Sequence, residues 1–235
     1  MAFGLTVRER LRFAILSPHL DDGILSLGAS IAEAVRGGHE VTVVTVFAGN
    51  PESQAAAGSW DSRAGFATEG EATQRRREED RRACGLLGAR CVWLPYGDDQ
   101  YANGRDENDV WARVAEALAA ADAVLVPGRP LLHRDHRWLA SLVEERGLPA
   151  SHGGRYSELP YDLWSDADKR RYGSALDTAD SWSAPPIRVW SRRAKWRACG
   201  AYASQLPWLG RGSSFRRALI RSRIGGERVG WRTAS

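Results

Sequence analysis

Two short segments of the chain carry side chains suited to metal chemistry. Pro18-His19-Leu20-Asp21-Asp22 and His133-Arg134-Asp135-His136 hold three of the five histidines and three aspartates. A catalytic zinc takes three protein ligands from histidine and carboxylate and keeps a fourth position open. His19 and Asp22 suit one side of a tight turn, and one histidine of the second segment completes a His₂Asp set. One carboxylate and one imidazole then remain as acid–base groups. A dication at such a set lowers the pKa of bound water toward ~7. The plainer reading is capping: Asp21, Asp22 and Asp135 also suit helix N-termini, with His133 and His136 on a helix surface.

Position favours the metal. Phe13–Ser17 reads as a buried strand and Gly23–Val35 as a helix ended by Gly37-Gly38. Glu40–Phe47, rich in β-branched residues, reads as a second strand. Pro51–Gly70 reads as a long loop, Glu71–Leu87 as an Arg/Glu-rich helix and Cys91–Leu94 as a third strand. Asn108–Ala121 follows as a helix, Ala123–Val126 as a fourth strand and His136–Arg146 as a helix. Alternation of this kind predicts an α/β fold: a doubly wound, mostly parallel, Rossmann-like sheet with helices on both faces. Chemistry in such sheets collects beyond the carboxyl ends of the strands, where both segments fall.

After residue 150 the pattern changes to an α+β extension. Tyr156–Pro160, Ile187–Trp190 and Arg228–Trp231 read as strands, and Arg192–Gln205 and Phe215–Ile224 as helices. The whole of 1–235 is expected to form one domain, with 1–150 as its core and 151–235 completing the substrate cleft.

Composition sets outer limits. The 235 residues are 43% hydrophobic and 26% charged, which excludes a disordered tail, a collagen-like chain and a coiled coil. The net charge of +4 hides a split. Residues 187–235 carry 11 arginines and one lysine against Glu227 alone, while 1–186 are net −7. A basic end of this kind raises the alternative of a non-catalytic protein that binds anions or nucleic acid. Cys84, Cys91 and Cys199 form no C-x-x-C pair, so neither a disulfide framework nor a thiolate zinc site is expected. A reducing cytoplasm fits them. Arg8, Glu9, Arg10 and Arg12 break the N-terminal apolar stretch, so no signal segment is expected, and no run approaches membrane-spanning length.

The two His/Asp segments, with Gly23-Ile24-Leu25-Ser26-Leu27-Gly28, Val41–Gly49, Arg76-Arg77-Glu78-Glu79, Glu158-Leu159-Pro160-Tyr161 and Tyr202–Leu206, resemble the zinc-dependent de-N-acetylases called LmbE-like or PIG-L. The likeness spans most of the chain. Its PHLDD variant is similar to the branch acting on sugar-bearing natural products, such as antibiotic precursors. The resemblance implies one Zn²⁺ per chain on His19, Asp22 and His136, with Asp21 as general base. It implies that His133, when protonated, stabilises the oxyanion and helps protonate the departing amine, with Asp135 orienting it. The implied substrate is an N-acetylglucosamine-type sugar in a small-molecule conjugate, with no nucleic acid partner. The basic end would suit a nucleotide- or diphosphate-linked form.

Three departures stand out. Leu20 and Arg134 replace prolines common in the family, and Gly23 replaces a glutamate; none of them removes a ligand. No clear match exists for an oxyanion-assisting tyrosine near Val126–Leu132. Arg76 corresponds to a substrate-binding arginine of some relatives; alternatively it pairs with Glu79 on the helix surface. Asp98 and Asp99 follow the third strand and could bind sugar hydroxyls, or simply form a turn. His39 and His152 read as structural or solvent-exposed, His152 within a Gly-rich loop.

Overall fold

The computed structural model describes residues 2–6, 9–101, 105–164, 182–209 and 213–232. Residues 165–181 of the expected extension and Arg211 of the basic end lie outside them. Alternation along the first strand, β1 (Arg12–Ser17), shows how the layers form. Phe13 and Ile15 point to one face of a sheet and Ala14 and Leu16 to the other, and all four are buried. A strand buried on both faces has no polar side to show solvent, so it must lie inside a parallel sheet covered by helices.

The sheet has six strands in the order β3-β2-β1-β4-β5-β6. They are β2 (Glu40–Thr45), β3 (Arg90–Trp93), β4 (Ala123–Arg129), β5 (His152–Ser157) and β6 (Val229–Trp231) flanking β1. The first five run parallel; β6 pairs antiparallel with β5. On one face lie α1 (Asp22–Arg36), α3 (Glu69–Leu87) and, from the basic end, α6 (Val189–Cys199). On the other lie α4 (Glu107–Leu118) and α5 (Arg134–Arg146). The chain winds outward from β1 to β3, then returns to place β4 beside β1. The carboxyl ends of β1 and β4 therefore flank the point where the winding reverses, the place where a doubly wound sheet leaves a crevice.

Four local readings need correction. The expected loop Pro51–Gly70 contains a short helix, α2 (Ser59–Arg63), anchored by Trp60 N donating to Gln100 Oε1 at 2.7 Å. Ile187–Trp190 is not a strand. Helix α6 starts at Val189, and Glu33 Oε1 accepts from Arg188 N (2.6 Å) and Ser191 Oγ (2.7 Å) at that start, supplying an acceptor and negative charge where a helix N-terminus needs them. The same helix stops at Cys199 rather than Gln205. Glu79 holds the next turn through Ser204 N (3.0 Å) and Ser204 Oγ (2.7 Å).

The fifth strand spans His152–Ser157, not Tyr156–Pro160. Its Gly153-Gly154 looked like loop sequence. A Cβ on Gly154 would sit 2.7 Å from the Trp231 ring and 2.8 Å from Leu125, so glycine is required for β6 to close on the sheet. β5 and β6 both follow residue 150, so the sheet continues into the extension without a break.

Buried polar anchors hold α6 in place. Lys195 and Glu227 are fully buried, with Nζ 2.7 Å from Oε1. Glu227 also accepts from Ala29 N and Ser30 N, both at 2.9 Å, which ties α1, α6 and the approach to β6 together.

Candidate active site

At the end of β1 the chain turns sharply. Ser17 Oγ accepts from Gly23 N at 2.9 Å, so Ser17 serves the amide that an Asp21 cap would have served. Asp21 makes no cap bond and adopts φ 122°, a backbone region costly for a residue with a Cβ. Strain of this kind is kept where the side chain is needed elsewhere, and Asp21 lines a cavity of about 300 Å³. Asp22, the first residue of α1, is oriented by accepting from His19 N at 3.0 Å.

The second segment meets this turn from β4. His136 Nε2 lies 3.1 Å from His19 Nδ1 and 3.1 Å from Asp22 Oδ2, and His19 Nδ1 lies 3.2 Å from Asp22 Oδ2. Three donors at 2.0–2.1 Å from one tetrahedral zinc would stand ~3.3 Å apart. The triangle is thus the size of one face of a zinc site. The far nitrogens are committed too: His19 Nε2 donates to Asp135 Oδ2 at 2.9 Å, and His136 Nδ1 donates to Glu158. Protons on the far sides leave two lone pairs and a carboxylate oxygen converging on one point. Such an arrangement repels itself unless a cation sits there, and carboxylate-backed histidines are the usual support of a metal site.

Titration follows the same logic. Burial opposes charge on His19, yet Asp135 and Asp22 raise it to about 9. Burial likewise opposes charge on His136, but Asp22 and Glu158 lift it well above the ordinary histidine value. Burial and the neighbouring Asp22 charge hold the Asp21 carboxyl well above the usual carboxylate range. The metal-free chain draws protons to the point that a cation would fill.

His133 stands beside the triangle, its ring centroid 4.9 Å from that of His19. Its Nδ1 accepts from Asp135 N at 3.2 Å and so caps α5. That bond leaves Nε2–H facing Asp99 Oδ2, 3.5 Å away. Burial, with His19 and His136 adjacent, pushes His133 down to about 4, which keeps it neutral. Asp135 Oδ2 is 3.9 Å from His133 Nδ1, and its hydrogen bonds go instead to His19, Asp99 N and Arg105. Asp135 therefore orients His19 directly, and reaches His133 only through its backbone amide.

Arg76 and Asp98 both line the cavity, with Nη1 to Oδ2 at 3.7 Å. The surface pair of Arg76 with Glu79 is absent; Arg76 turns inward to Asp61, and Glu79 pairs with Arg75 at 3.3 Å. Asp61 is fixed by Tyr101 Oη at 2.7 Å. Trp60 Nε1 donates to Gln205 Oε1 at 3.0 Å, closing α2 over the cavity against the extension. Pro160, Tyr161, Gln205 and Leu209 complete the wall. Arg134 is exposed at the mouth and held by Asp99, with Nε to Oδ2 at 3.1 Å.

One expectation finds no support among the described residues. No arginine after Pro186 lines the cavity among the described residues. α6 buries Ser191, Lys195, Ala198 and Cys199 against the core and leaves Arg192, Arg193 and Arg197 exposed. Among the described residues, the cavity wall holds Asp21, Asp22, Asp61, Asp98 and Asp99 against Arg76 alone among guanidinium and ammonium groups.

Glu158, Arg105, Asp61 and Gln205 join the site beyond the residues expected from the sequence. Glu158 had a signal: it directly follows the true end of β5, as strand-end chemistry requires.

A family model described as PIG-L, GlcNAc-PI de-N-acetylase, matches residues 14–146. No curated protein matches the chain. Among solved structures, the A40926 pseudoaglycone deacetylase Dbv21 is 27% identical with a TM-score of 0.75, over 95% of this chain and 97% of that one. A deacetylase of teicoplanin biosynthesis, solved with teicoplanin, is 22% identical with a TM-score of 0.70, over 94% and 97%. GalB, a 4-carboxy-2-hydroxymuconate hydratase from Pseudomonas putida, is 18% identical with a TM-score of 0.63, over 96% and 97%. The last two likenesses show the fold, and a hydratase among them means that the fold alone does not select the reaction.

Proposed function

Because this chain belongs to the PIG-L family, whose model spans residues 14–146, we propose that it removes the N-acetyl group from an N-acetylglucosamine-type sugar carried on a larger natural product. The family makes it a metal-dependent N-deacetylase, a hydrolase of a linear amide. Zinc, one ion per chain, the sugar and its conjugate are the finer parts of the proposal. The likeness to a deacetylase of an antibiotic pseudoaglycone at 27% identity supports a role in antibiotic biosynthesis.

The observation that carries the reading is the facing pair His19 Nδ1 and His136 Nε2 at 3.1 Å, with Asp22 Oδ2 beside both. These three groups would hold the metal. When bound, zinc supplies a positive charge that polarises an acyl oxygen and acidifies water toward neutral pH. Asp21 takes a proton from the attacking water, whose oxygen adds to the acetyl carbon. His133 donates through Nε2–H to the oxygen on which negative charge develops. The carbon–nitrogen bond then breaks, and the proton on Asp21 passes to the departing amine, leaving acetate and a free amino sugar. General acid–base help of this kind is worth roughly 10²–10⁴ in rate. The lowered His133 imidazole favours a neutral hydrogen-bond donor over an imidazolium acid.

Arg76 and Asp98 bind the sugar hydroxyls in this account. Among the described residues the aspartates of the cavity wall outnumber its one arginine, which favours an uncharged conjugate over a phosphate-linked one. Both parts of the chain serve one catalytic unit: 1–150 supply the metal and base residues, and 151–235 close the cleft through Tyr161 and Gln205. A cytoplasmic location fits three free cysteines. No helix among the described residues is long and apolar enough to cross a membrane.

Assaying released acetate from neutral glycosides of N-acetylglucosamine, a nucleotide-linked form and a glycopeptide-linked form tests the proposal. Turnover on the neutral and glycopeptide conjugates is expected. Turnover confined to the nucleotide-linked form would overturn the substrate class, and none on any would overturn the activity.

A further inference from the structure

Asp135 joins two halves of the site that the sequence keeps far apart. Its side chain is 2% exposed and both oxygens are fully used. Oδ2 accepts from His19 Nε2 and from the backbone amide of Asp99, each at 2.9 Å. Oδ1 accepts from Arg105 Nη1 at 2.7 Å. Arg105 in turn donates from Nη2 to Gly97 O at 2.9 Å, on the turn that carries Asp98 and Asp99. Its guanidinium lies over the Phe47 ring at 3.9 Å and 5.6 Å from that of Trp138. Phe47 also packs against His19, with ring centroids 5.9 Å apart.

From this geometry we propose that Arg105 is a positioning residue linking the metal-ligand half of the site to the sugar-binding turn. The metal half of this inference rests on the proposed metal reading of His19. Arg105 touches neither metal nor sugar. One arm fixes the carboxylate that sets the His19 ring, and the other fixes the turn whose Asp98 faces the sugar. A planar fork stacked on an aromatic face does both at once; a lysine is a single point charge on a flexible stem and serves one arm at a time. Removing the cation leaves Asp135 a buried carboxylate held by two donors, free to rotate away from His19. Carboxylates behind metal-bound histidines typically account for 10- to 100-fold in metal affinity.

Arg105→Met and Arg105→Lys, assayed in the full chain, test the link. Metal affinity is read by titrating apo protein with Zn²⁺ against a chromophoric chelator, and by the absorption spectrum of the Co²⁺-loaded form. For Arg105→Met we expect at least a tenfold loss in Zn²⁺ affinity, an altered Co²⁺ spectrum and a raised KM. Arg105→Lys keeps a charge near Asp135, so its Zn²⁺ affinity should lie within about threefold of the parent while its KM still rises. Parent-like affinity and Co²⁺ spectrum in Arg105→Met would overturn the proposal, whatever its KM. Should that variant fail to fold, a parent-like KM in Arg105→Lys would overturn it instead. The metal readout is independent of the sugar: a parent that binds Zn²⁺ but cleaves no acetamido sugar refutes the proposed activity alone.

Discussion

His19 Nδ1 and His136 Nε2 face each other across 3.1 Å, each ring donating from its other nitrogen to a carboxylate. Their residues are 117 positions apart, so only the side-by-side packing of β1 and β4 brings them together. A proton or a metal must occupy the space between them, and the two compete. Burial opposes the His19 charge, but Asp135 and Asp22 outweigh it and hold the group at about 9. Metal binding needs the ring deprotonated, and below about pH 9 the free ring carries its proton. Metal binding must displace the protons held by both His19 and His136, so apparent Zn²⁺ affinity should fall at least tenfold for each unit from pH 8 to pH 6. Chelator-competition titrations at several pH values check this, and an affinity flat across that range would contradict it.

Glu158 supports His136 as Asp135 supports His19, and it also accepts from Leu131 N at 2.9 Å. Glu158→Gln keeps the shape but loses the charge that favours a donor on Nδ1. Zn²⁺ affinity should drop 10- to 100-fold. Metal content after dialysis against a weak chelator measures it.

Asp21 stands apart from the ligand triangle, so its substitution separates binding from catalysis. Asp21→Asn should retain Zn²⁺ at near-parent affinity while kcat falls by roughly 10²–10⁴. A variant that keeps full turnover would remove Asp21 from the base role.

Among the described residues the basic end contributes to stability through Lys195, and none of its arginines lines the cavity. Glu227→Ala leaves the Lys195 ammonium buried with no carboxylate partner, at a cost of about 3–5 kcal/mol. Urea unfolding of the metal-free protein reads this directly, and a loss below about 1 kcal/mol would mean that water reaches Lys195.

The first half of the chain was legible because its apolar runs and caps are local signals. Phe13–Ser17 and Glu40–Phe47 stand out by β-branched and aliphatic content, the second strand ending two residues earlier at Thr45, and Gly88, in the left-handed region at φ 73°, ends α3 where expected. The two His/Asp segments could be placed because strand-end position follows from the same signals. The support shell was not legible, since its partners are fixed by long-range packing. Arg105 meets Asp135 across 30 positions, and Trp60 meets Gln205 across 145. Glu158 was hidden by a strand boundary drawn three residues too late, at Pro160 instead of Ser157. The glycines of β5 misled for a physical reason: they make room for Trp231, which comes from the far end of the chain.

The central claim is a metal-dependent amide hydrolysis carried by His19, Asp22, His136 and Asp21. Its most direct test compares acetate release from an uncharged N-acetylglucosamine conjugate for the parent protein stripped of metal, the same protein reloaded with Zn²⁺, and the His136→Ala variant loaded with Zn²⁺. Turnover is expected in the reloaded parent only. Equal acetate release from the stripped protein, or full restoration by Zn²⁺ in the His136→Ala variant, would contradict it.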